Sequence, residues 1–239
     1  MSVVERETTG IDELDSMLSG GFPRNASVLI IGPPGAGKTT FVDQFVQEGL
    51  KNGEKALYIT LDRPPAEVKE TAEYFGWDFD DYGDNIVFID GYSWREGGEP
   101  DTEFAIEGPS DLNQMNMTLA DAMKKLGKGR KRVVLDSIST LVLYTDPNSA
   151  VKFLQVVSAK SKASDSNLLM TLEEGVHEQK TISTLNYVAD GLMKMKMEGD
   201  RRMLSVQRMV KTDHSQEWLE FEIDEESGII PLKEARAEA

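Results

Sequence analysis

The stretch IIGPPGAGKTT, residues 30–40, joins an apolar run to a run with helical periodicity. It fits the pattern G-x-x-x-x-G-K-[ST], in which glycines let backbone N–H groups turn inward around an anion. The start of the following helix adds partial positive charge. The stretch therefore predicts a loop that holds the phosphates of a nucleotide. The residues expected around the phosphates are Gly32, Pro33, Pro34, Gly35, Ala36, Gly37, Lys38, Thr39 and Thr40.

Two side chains of this loop have specific expected roles, and a third residue should complete the site. Lys38 should reach the β and γ phosphates, and the hydroxyl of Thr39 should bind Mg²⁺. Such a metal also needs a carboxylate at the carboxyl end of a neighbouring strand. The apolar stretch RVVLDS, residues 132–137, supplies Asp136, which we expect to hold the metal, usually through water. For Ser137 two interpretations stay open, a contact with the γ phosphate or a water, and a cap of the next segment.

Short β-branched runs alternate with helical patterns of 10 to 15 residues along most of the chain, which is typical of a parallel sheet covered by helices. Beyond residue 190 apolar and polar residues alternate on both sides of Gly199-Asp200 and again in EWLEFEID, which indicates antiparallel strands. The predicted fold class is α/β, with a mostly parallel central sheet flanked by helices and antiparallel strands at its C-terminal edge. Buried strands are expected at 27–32, 55–62, 85–91, 132–137 and 167–172, and helices at about 41–50, 64–76, 110–126 and 148–161.

The remaining segments give weaker expectations. Residues 92–110 lack periodicity and predict a long loop with a short strand near 104–106. Asp12 and Leu14 are interpreted as a cap and a core residue of a short helix beneath the sheet. We expect a single domain over residues 1–239, with a frayed polar tail at 233–239.

Composition excludes several kinds of site. The chain has 239 residues, no cysteine and two histidines, which removes disulfides, thiolate metal sites and His-rich metal sites. The acidic N-terminus and the lack of a long apolar run disfavour a signal peptide and membrane insertion, and we expect a cytoplasmic protein. A net charge of −16 disfavours nucleic acid as a partner. The basic stretch KKLGKGRKR, residues 124–132, is interpreted as a helix end and turn that lead into a buried strand.

The residues before and after the phosphate loop resemble a known family. TTGIDELDSMLSGGFPRNASVLIIGPPGAGKTT, residues 8–40, is similar to the opening of the KaiC-like branch of the RecA superfamily, where T-G-[IV]-x-x-L-D-x-x-L-x-G-G-x-P-x-G precedes the loop. The similarity continues through GLKNGEKALYIT, VVLDSIS and KTDHSQEWLEFEID, so it covers nearly the whole chain. It implies a RecA-like P-loop NTPase core, Mg²⁺ and ATP bound between subunits, and assembly into rings or filaments. We expect a homo-oligomer, for which a hexameric ring is one form, and a regulatory protein partner of unidentified kind.

Two departures from the family pattern concern hydrolysis. The family usually has a Glu pair after the second strand, and the first Glu polarises the attacking water; here Asp62-Arg63 stand there. We interpret Asp62 as the general base, and its side chain is one methylene shorter than that of Glu.

The second departure concerns the family's K-x-R-G-T-x-H, which supplies a Lys and an Arg to the neighbouring subunit's γ phosphate. Aligned on Thr212 and His214, this chain has Arg208 for the Lys, Val210 for the Arg and Lys211 for the Gly. Arg208 or Lys211 is the candidate trans-acting cation, and a solvent-facing strand residue is the other interpretation of each.

Three hypotheses for function follow. The leading hypothesis is slow hydrolysis of Mg·ATP coupled to self-assembly and partner contact. The alternative is an ATP sensor without hydrolysis, and the third is a recombinase-like DNA ATPase, which predicts stimulation by single-stranded DNA. RecA relatives carry a mobile loop after the fifth strand, here TLEEGVHEQKTISTL, residues 171–185. Its Glu173, Glu174 and His177 are interpreted as nucleotide sensors or as solvated surface.

Overall fold

The computed structural model describes residues 4–97, 100 and 102–232, and the predicted tail at 233–239 lies outside this range. The strands in chain order are β1 (Arg6–Glu7), β2 (Phe22–Pro23), β3 (Ser27–Gly32), β4 (Lys55–Thr60), β5 (Ile86–Asp90), β6 (Phe104–Ala105), β7 (Lys131–Asp136), β8 (Ser166–Glu173), β9 (Gly191–Glu198), β10 (Arg201–Met209), β11 (Leu219–Asp224) and β12 (Gly228–Pro231). The α-helices are α1 (Asp12–Met17), α2 (Lys38–Lys51), α3 (Pro65–Tyr74), α4 (Leu112–Leu126), α5 (Ile138–Tyr144), α6 (Pro147–Ala163) and α7 (Gln179–Val188). Short 3-10 segments lie at Asp80–Asn85 and Ser93–Arg95.

Ten of the strands form one mixed sheet in the order β12-β11-β10-β9-β3-β8-β7-β4-β5-β6. The strands from β9 to β6 in this order run parallel to their neighbours. The strands from β9 to β12 pair antiparallel. The predicted fold class is therefore confirmed, and β3 lies at the centre with one parallel neighbour on each side.

The central strands are apolar on both faces because helices cover both faces. In β3, Val28 and Ile30 point into the core beneath α1, α2 and α3, whereas Leu29 and Ile31 point into the core beneath α4, α5, α6 and α7. Parallel strands present their carboxyl ends at a common edge of a sheet. The segments that follow β3, β4, β7 and β8 therefore meet there, and three of them carry predicted site residues.

The expected strands and the C-terminal hairpin are confirmed. The hairpin pairs β9 with β10 around Gly199 and Asp200, and the short strand β6 pairs with β5 inside the long loop. Within the described residues, no helix has both the length and the apolarity needed to cross a membrane.

Two local predictions were wrong. The segment at 171–185 is not one loop, because β8 extends to Glu173 and α7 begins at Gln179 and buries Ile182 and Leu185 against the core. Asp12 is not a cap, because Ile11 holds the N-cap position of α1 and no side chain caps that end. Leu14 is a core residue, as expected.

Candidate nucleotide-binding site

The phosphate loop, residues 32–40, leaves the carboxyl end of β3 and enters α2 at Lys38. Gly35 and Gly37 have φ values of 77° and 94°, a region that side-chain-bearing residues adopt at a cost. Pro34 and Gly35 are exposed at the tip, whereas Ala36 is buried. The sequence of this loop therefore matches the backbone that it must adopt, and α2 directs its N-terminus toward the space that the loop encloses.

Lys38 is 6 % exposed and its Nζ atom is fully engaged within the loop and with one acid. Nζ donates to the carbonyl oxygens of Gly32 and Pro33, each at 2.9 Å. It also lies 2.9 Å from Oε1 of Glu173, the last residue of β8. A cation inside a curled backbone loop is the arrangement that binds a β or γ phosphate, and here a carboxylate of the same chain contacts that cation.

Asp136 ends β7 and lies beside the first turn of α2. It is 5 % exposed, its Oδ2 atom is 3.3 Å from the hydroxyl of Thr39, and its Oδ1 atom accepts from the hydroxyl of Thr171 at 2.5 Å. Burial raises the pKa of the Asp136 carboxyl above its ordinary value, while the Thr171 hydrogen bond and the positive charge of Arg63 oppose this. The structure thus brings together the hydroxyl and the carboxylate that were predicted to hold Mg²⁺.

Asp62 lies in the turn after β4, where the backbone N–H of Leu61 donates to the carbonyl of Asp136 at 2.7 Å. The hydroxyl of Ser137 donates to Asp62 Oδ2 at 2.8 Å, and the hydroxyl of Thr140 donates to Oδ1. Ser137 occupies the N-cap position of α5, as the capping interpretation expected, but its side chain makes no capping hydrogen bond. The peptide bond between Asp136 and Ser137 is cis.

The donor set fits a magnesium ion that arrives with a triphosphate. The described residues contain no cluster of three His, Cys, Asp or Glu side chains able to hold a metal without help. Thr39 and Asp136 offer two oxygens on one side, which leaves the other positions to water and phosphate oxygens, as Mg²⁺ prefers. Thr40 is half-buried in the same helical turn as Thr39.

Arg208 and Lys211 lie at the other end of the sheet. Arg208 pairs with Leu192 at the start of β9. Leu192 in turn pairs with Leu29, in the first half of β3, whereas the phosphate loop follows the last residue of that strand. The Arg208 guanidinium donates to the carbonyls of Asn186 and Ala189 at 2.7 and 2.8 Å. Lys211 is exposed and has a φ of 53° in the turn after β10. The fold therefore separates both cations from the phosphate loop of their own chain.

Two contacts of the phosphate loop were missed at the level of sequence. Glu173 reaches Lys38 because β8 pairs with β3 in a register that places Glu173 opposite Gly32. Arg202, at the start of β10, donates from Nε to the carbonyl of Gly35 at 3.0 Å. Both contacts depend on strand register, for which the sequence had no local signal. Between β8 and α7, Glu174 is exposed and His177 is half-buried.

The basic stretch at 124–132 is partly used by the fold. Arg132 is 1 % exposed, donates to the carbonyls of Thr8 and Phe45, and pairs with Glu54. Lys131 is buried and donates to Gly129. The expected helix end at Leu126 is confirmed, and the strand expected at 132–137 is present at Lys131–Asp136.

Three comparisons with known proteins agree with this geometry. The family model described as "ATPase: KaiC" matches residues 7–235. A UPF0273 protein of Methanopyrus kandleri is 30% identical over 232 residues, which cover 93% of this chain and 90% of that protein. A UPF0273 protein of Thermotoga maritima is 28% identical over 235 residues, which cover 95% of this chain and 96% of that one.

A longer relative and a solved structure extend the comparison. The circadian clock protein KaiC3 of Synechocystis is 28% identical over 238 residues, which cover 95% of this chain and 45% of that protein. The crystal structure of a KaiC-like protein from Pyrococcus horikoshii superposes with a TM-score of 0.80 at 23% identity, covering 97% of this chain and all of that one. The latter match shows the fold.

Proposed function

We propose, since the chain belongs to the KaiC family of ATPases, that it binds Mg·ATP at the phosphate loop and hydrolyses it slowly. We further propose that the nucleotide state controls self-assembly and contact with a regulatory protein partner. The observation that carries the first proposal is the convergence of Lys38, Thr39, Asp136 and Asp62 at the carboxyl edge of the sheet. Lys38 supplies a cation for the phosphates, Thr39 and Asp136 supply a hydroxyl and a carboxylate for the metal, and Asp62 supplies a general base.

The roles of the residues follow from their positions. Lys38 and the backbone of the phosphate loop hold the triphosphate, and Thr39 with Asp136 would hold the metal. When bound, Mg²⁺ supplies neutralising charge on the phosphate oxygens. Asp62 accepts the proton of the attacking water, and the hydroxyls of Ser137 and Thr140 fix the orientation of its carboxylate. The short side chain of Asp62 makes slow turnover the expected outcome, because an error of about 1 Å in the base costs on the order of 10²-fold in rate.

Assembly enters the proposal through Arg208 and Lys211. Both cations lie away from the phosphate loop of their own chain, so either one reaches a γ phosphate only in a neighbouring subunit. We therefore propose a homo-oligomer, with a hexameric ring as one form. Arg208 must leave the carbonyls of Asn186 and Ala189 to act in this way.

A second function, ATP sensing without hydrolysis, has one observation in its favour. Both carboxylate oxygens of Asp62 already accept hydroxyl hydrogens, from Ser137 and Thr140. A carboxylate engaged in this way has fewer free lone pairs to accept a hydrogen bond from the attacking water. In this function closure of the site around ATP would be the signal.

Phosphate release by the purified protein separates the two functions. Slow ATPase activity predicts measurable phosphate release by wild type, none above background by Lys38→Ala, and a fall of roughly 10²-fold in Asp62→Asn. Calorimetry should show Mg·ATP binding by wild type and Asp62→Asn, and not by Lys38→Ala. Tight binding with phosphate release equal to that of Lys38→Ala would establish the sensor instead. Absence of nucleotide binding by wild type would refute both functions.

A further inference from the structure

Arg63 follows Asp62 in the turn after β4, and its guanidinium is turned into the fold. The side chain is 12 % exposed. Its Nη2 atom lies 3.0 Å from Asp43 Oδ2 and 3.3 Å from Asp43 Oδ1, and its Nη1 atom donates to the hydroxyl of Thr71 at 3.0 Å. Arg63 thus links the turn that carries the proposed base to α2 through Asp43 and to α3 through Thr71.

Asp43 lies on the helix of the phosphate loop, one turn after Thr39. Residues four apart share a helix face, so Asp43 and Thr39 point to the same side of α2. The Asp43 side chain is fully buried, and Tyr58 donates its hydroxyl hydrogen to Oδ1 at 2.7 Å. Among the described residues, Arg63 is the cation within ion-pair distance of Asp43. A buried carboxylate is strongly destabilising without such a partner, which makes this pair a rigid point of attachment.

The turn after β4 is therefore held on two sides. The carboxylate of Asp62 is held by the hydroxyls of Ser137 and Thr140, from the segment after β7. Arg63 is held by α2 through its ion pair with Asp43, and the Arg63 carbonyl accepts a hydrogen bond from the Thr60 hydroxyl at 2.6 Å. One end of this linkage carries the proposed base, and the other end carries the helix that begins with Lys38 and Thr39.

We propose that Arg63, bound to Asp43, is a positioning residue that sets the place of the Asp62 carboxylate relative to the phosphate loop. This inference rests on the proposed ATPase function. Arg63 does not touch the nucleotide in this proposal; it acts through the backbone of the turn. Loss of the ion pair lets the turn shift, and a shift of about 1 Å in a general base lowers the rate by on the order of 10²-fold.

Steady-state kinetics of Arg63→Gln and Asp43→Asn test the proposal. Both variants should lower kcat by roughly 10²-fold while the KM for Mg·ATP changes by less than about threefold, because the phosphate loop is untouched. The double variant should be no slower than either single variant, since all three lack the same linkage. Tyr58→Phe is the matched control, because it removes the hydroxyl that donates to Asp43 Oδ1 and accepts from Arg63 Nη2 at 3.3 Å, and it leaves the ion pair and the contact with Thr71 in place. Its kcat should stay within about threefold of wild type.

The outcomes of these measurements decide whether Arg63 is a positioning residue. Circular dichroism and thermal melting identify the folded variants, and the double variant, which buries no net charge, carries the test if a single variant fails to fold. Wild-type kcat in folded variants, or a raised KM with unchanged kcat, overturns the inference and leaves the proposed function intact. A wild-type protein that binds Mg·ATP without turnover overturns the ATPase function and this inference with it.

Discussion

Lys38 is the residue on which the proposed nucleotide binding depends most directly, and its contact with Glu173 would compete with that binding. The two side chains lie 2.9 Å apart, and Glu173 is partly exposed. A triphosphate that reaches Lys38 must displace or share this carboxylate. The energy of such a partly exposed pair is about 1 kcal/mol or less.

Glu173→Gln should therefore strengthen Mg·ATP binding, by roughly fivefold, because it removes the competing charge and keeps the shape of the side chain. Calorimetric titration of the purified protein with Mg·ATP measures this change. Glu174→Gln is the matched control, since Glu174 is adjacent and exposed and should change the affinity by less than about twofold. Unchanged or weaker binding in Glu173→Gln would show that the contact with Lys38 does not oppose the nucleotide.

At this scale the sequence could locate Lys38, Thr39 and Asp136 because their roles depend on local spacing and on one strand end. It could name Glu173 as a candidate nucleotide sensor but could not predict the contact of Glu173 with Lys38, since that contact depends on the register between β3 and β8. The inward turn of Arg63 was equally hidden, because its partner Asp43 is twenty positions earlier in the chain and the pairing depends on how α2 packs against β4.

Helix α1 shows how a buried acid makes an element sensitive to pH. Asp15 accepts a hydrogen bond from the backbone N–H of Thr9 at 2.7 Å, which fixes the segment before α1. Burial raises the pKa of Asp15 from 3.8 to about 6, with Thr9 opposing the shift and the charges of Glu48 and Asp12 adding to it. The pKa of Asp15 is higher in the folded state than in the unfolded state. The contribution of Asp15 to the free energy of unfolding is therefore complete below pH 3.8 and is lost as pH rises through about 6.

Asp15→Asn keeps an acceptor for Thr9 and removes the titration. The variant should gain unfolding free energy relative to wild type as pH rises from about 5.5 to 7.5, by roughly 0.5–1 kcal/mol. Urea denaturation at several pH values measures the difference. Asp200→Asn, at an exposed hairpin turn, should follow the wild-type pH profile. If the Asp15→Asn and wild-type curves run parallel, the acid is not destabilised by burial.

The elements themselves were predictable where periodicity was strong. The alternation around Gly199 and Asp200 matches β9 and β10, and the apolar runs match the buried strands. Helix α7 was missed because its segment begins with charged residues, and only Ile182 and Leu185 are buried in it. Two buried apolar residues in ten are too few to indicate a helix without the core against which they pack.

In the fold as a whole, Arg208 lies away from the phosphate loop of its own chain. This separation predicts nucleotide sites that two neighbouring subunits build together. A Lys38→Ala chain has an intact Arg208, and an Arg208→Ala chain has an intact phosphate loop. A mixture of the two should recover turnover that neither has alone, up to roughly a quarter of wild type if neighbours pair at random. Phosphate release at increasing mixing ratios measures the recovery.

Light scattering with and without Mg·ATP should show the larger particle that this recovery requires. A mixture that stays inactive while wild type is active would mean that Arg208 does not act across a subunit boundary. The same mixing experiment with Lys211→Ala in place of Arg208→Ala tests the other cation. A particle mass fixed at one chain would exclude the homo-oligomer.

The position of β3 has a further consequence for synthesis on the ribosome. One neighbour of this strand, β8, begins at residue 166, and the other, β9, begins at residue 191 and is itself covered by the hairpin that ends at residue 209. The phosphate loop is made early, but the strand that carries it stays uncovered until those distant segments have emerged. A growing chain therefore has the residues of the phosphate loop long before it has the strands that support them, and the loop should take its final shape only after residue 209 has left the ribosome.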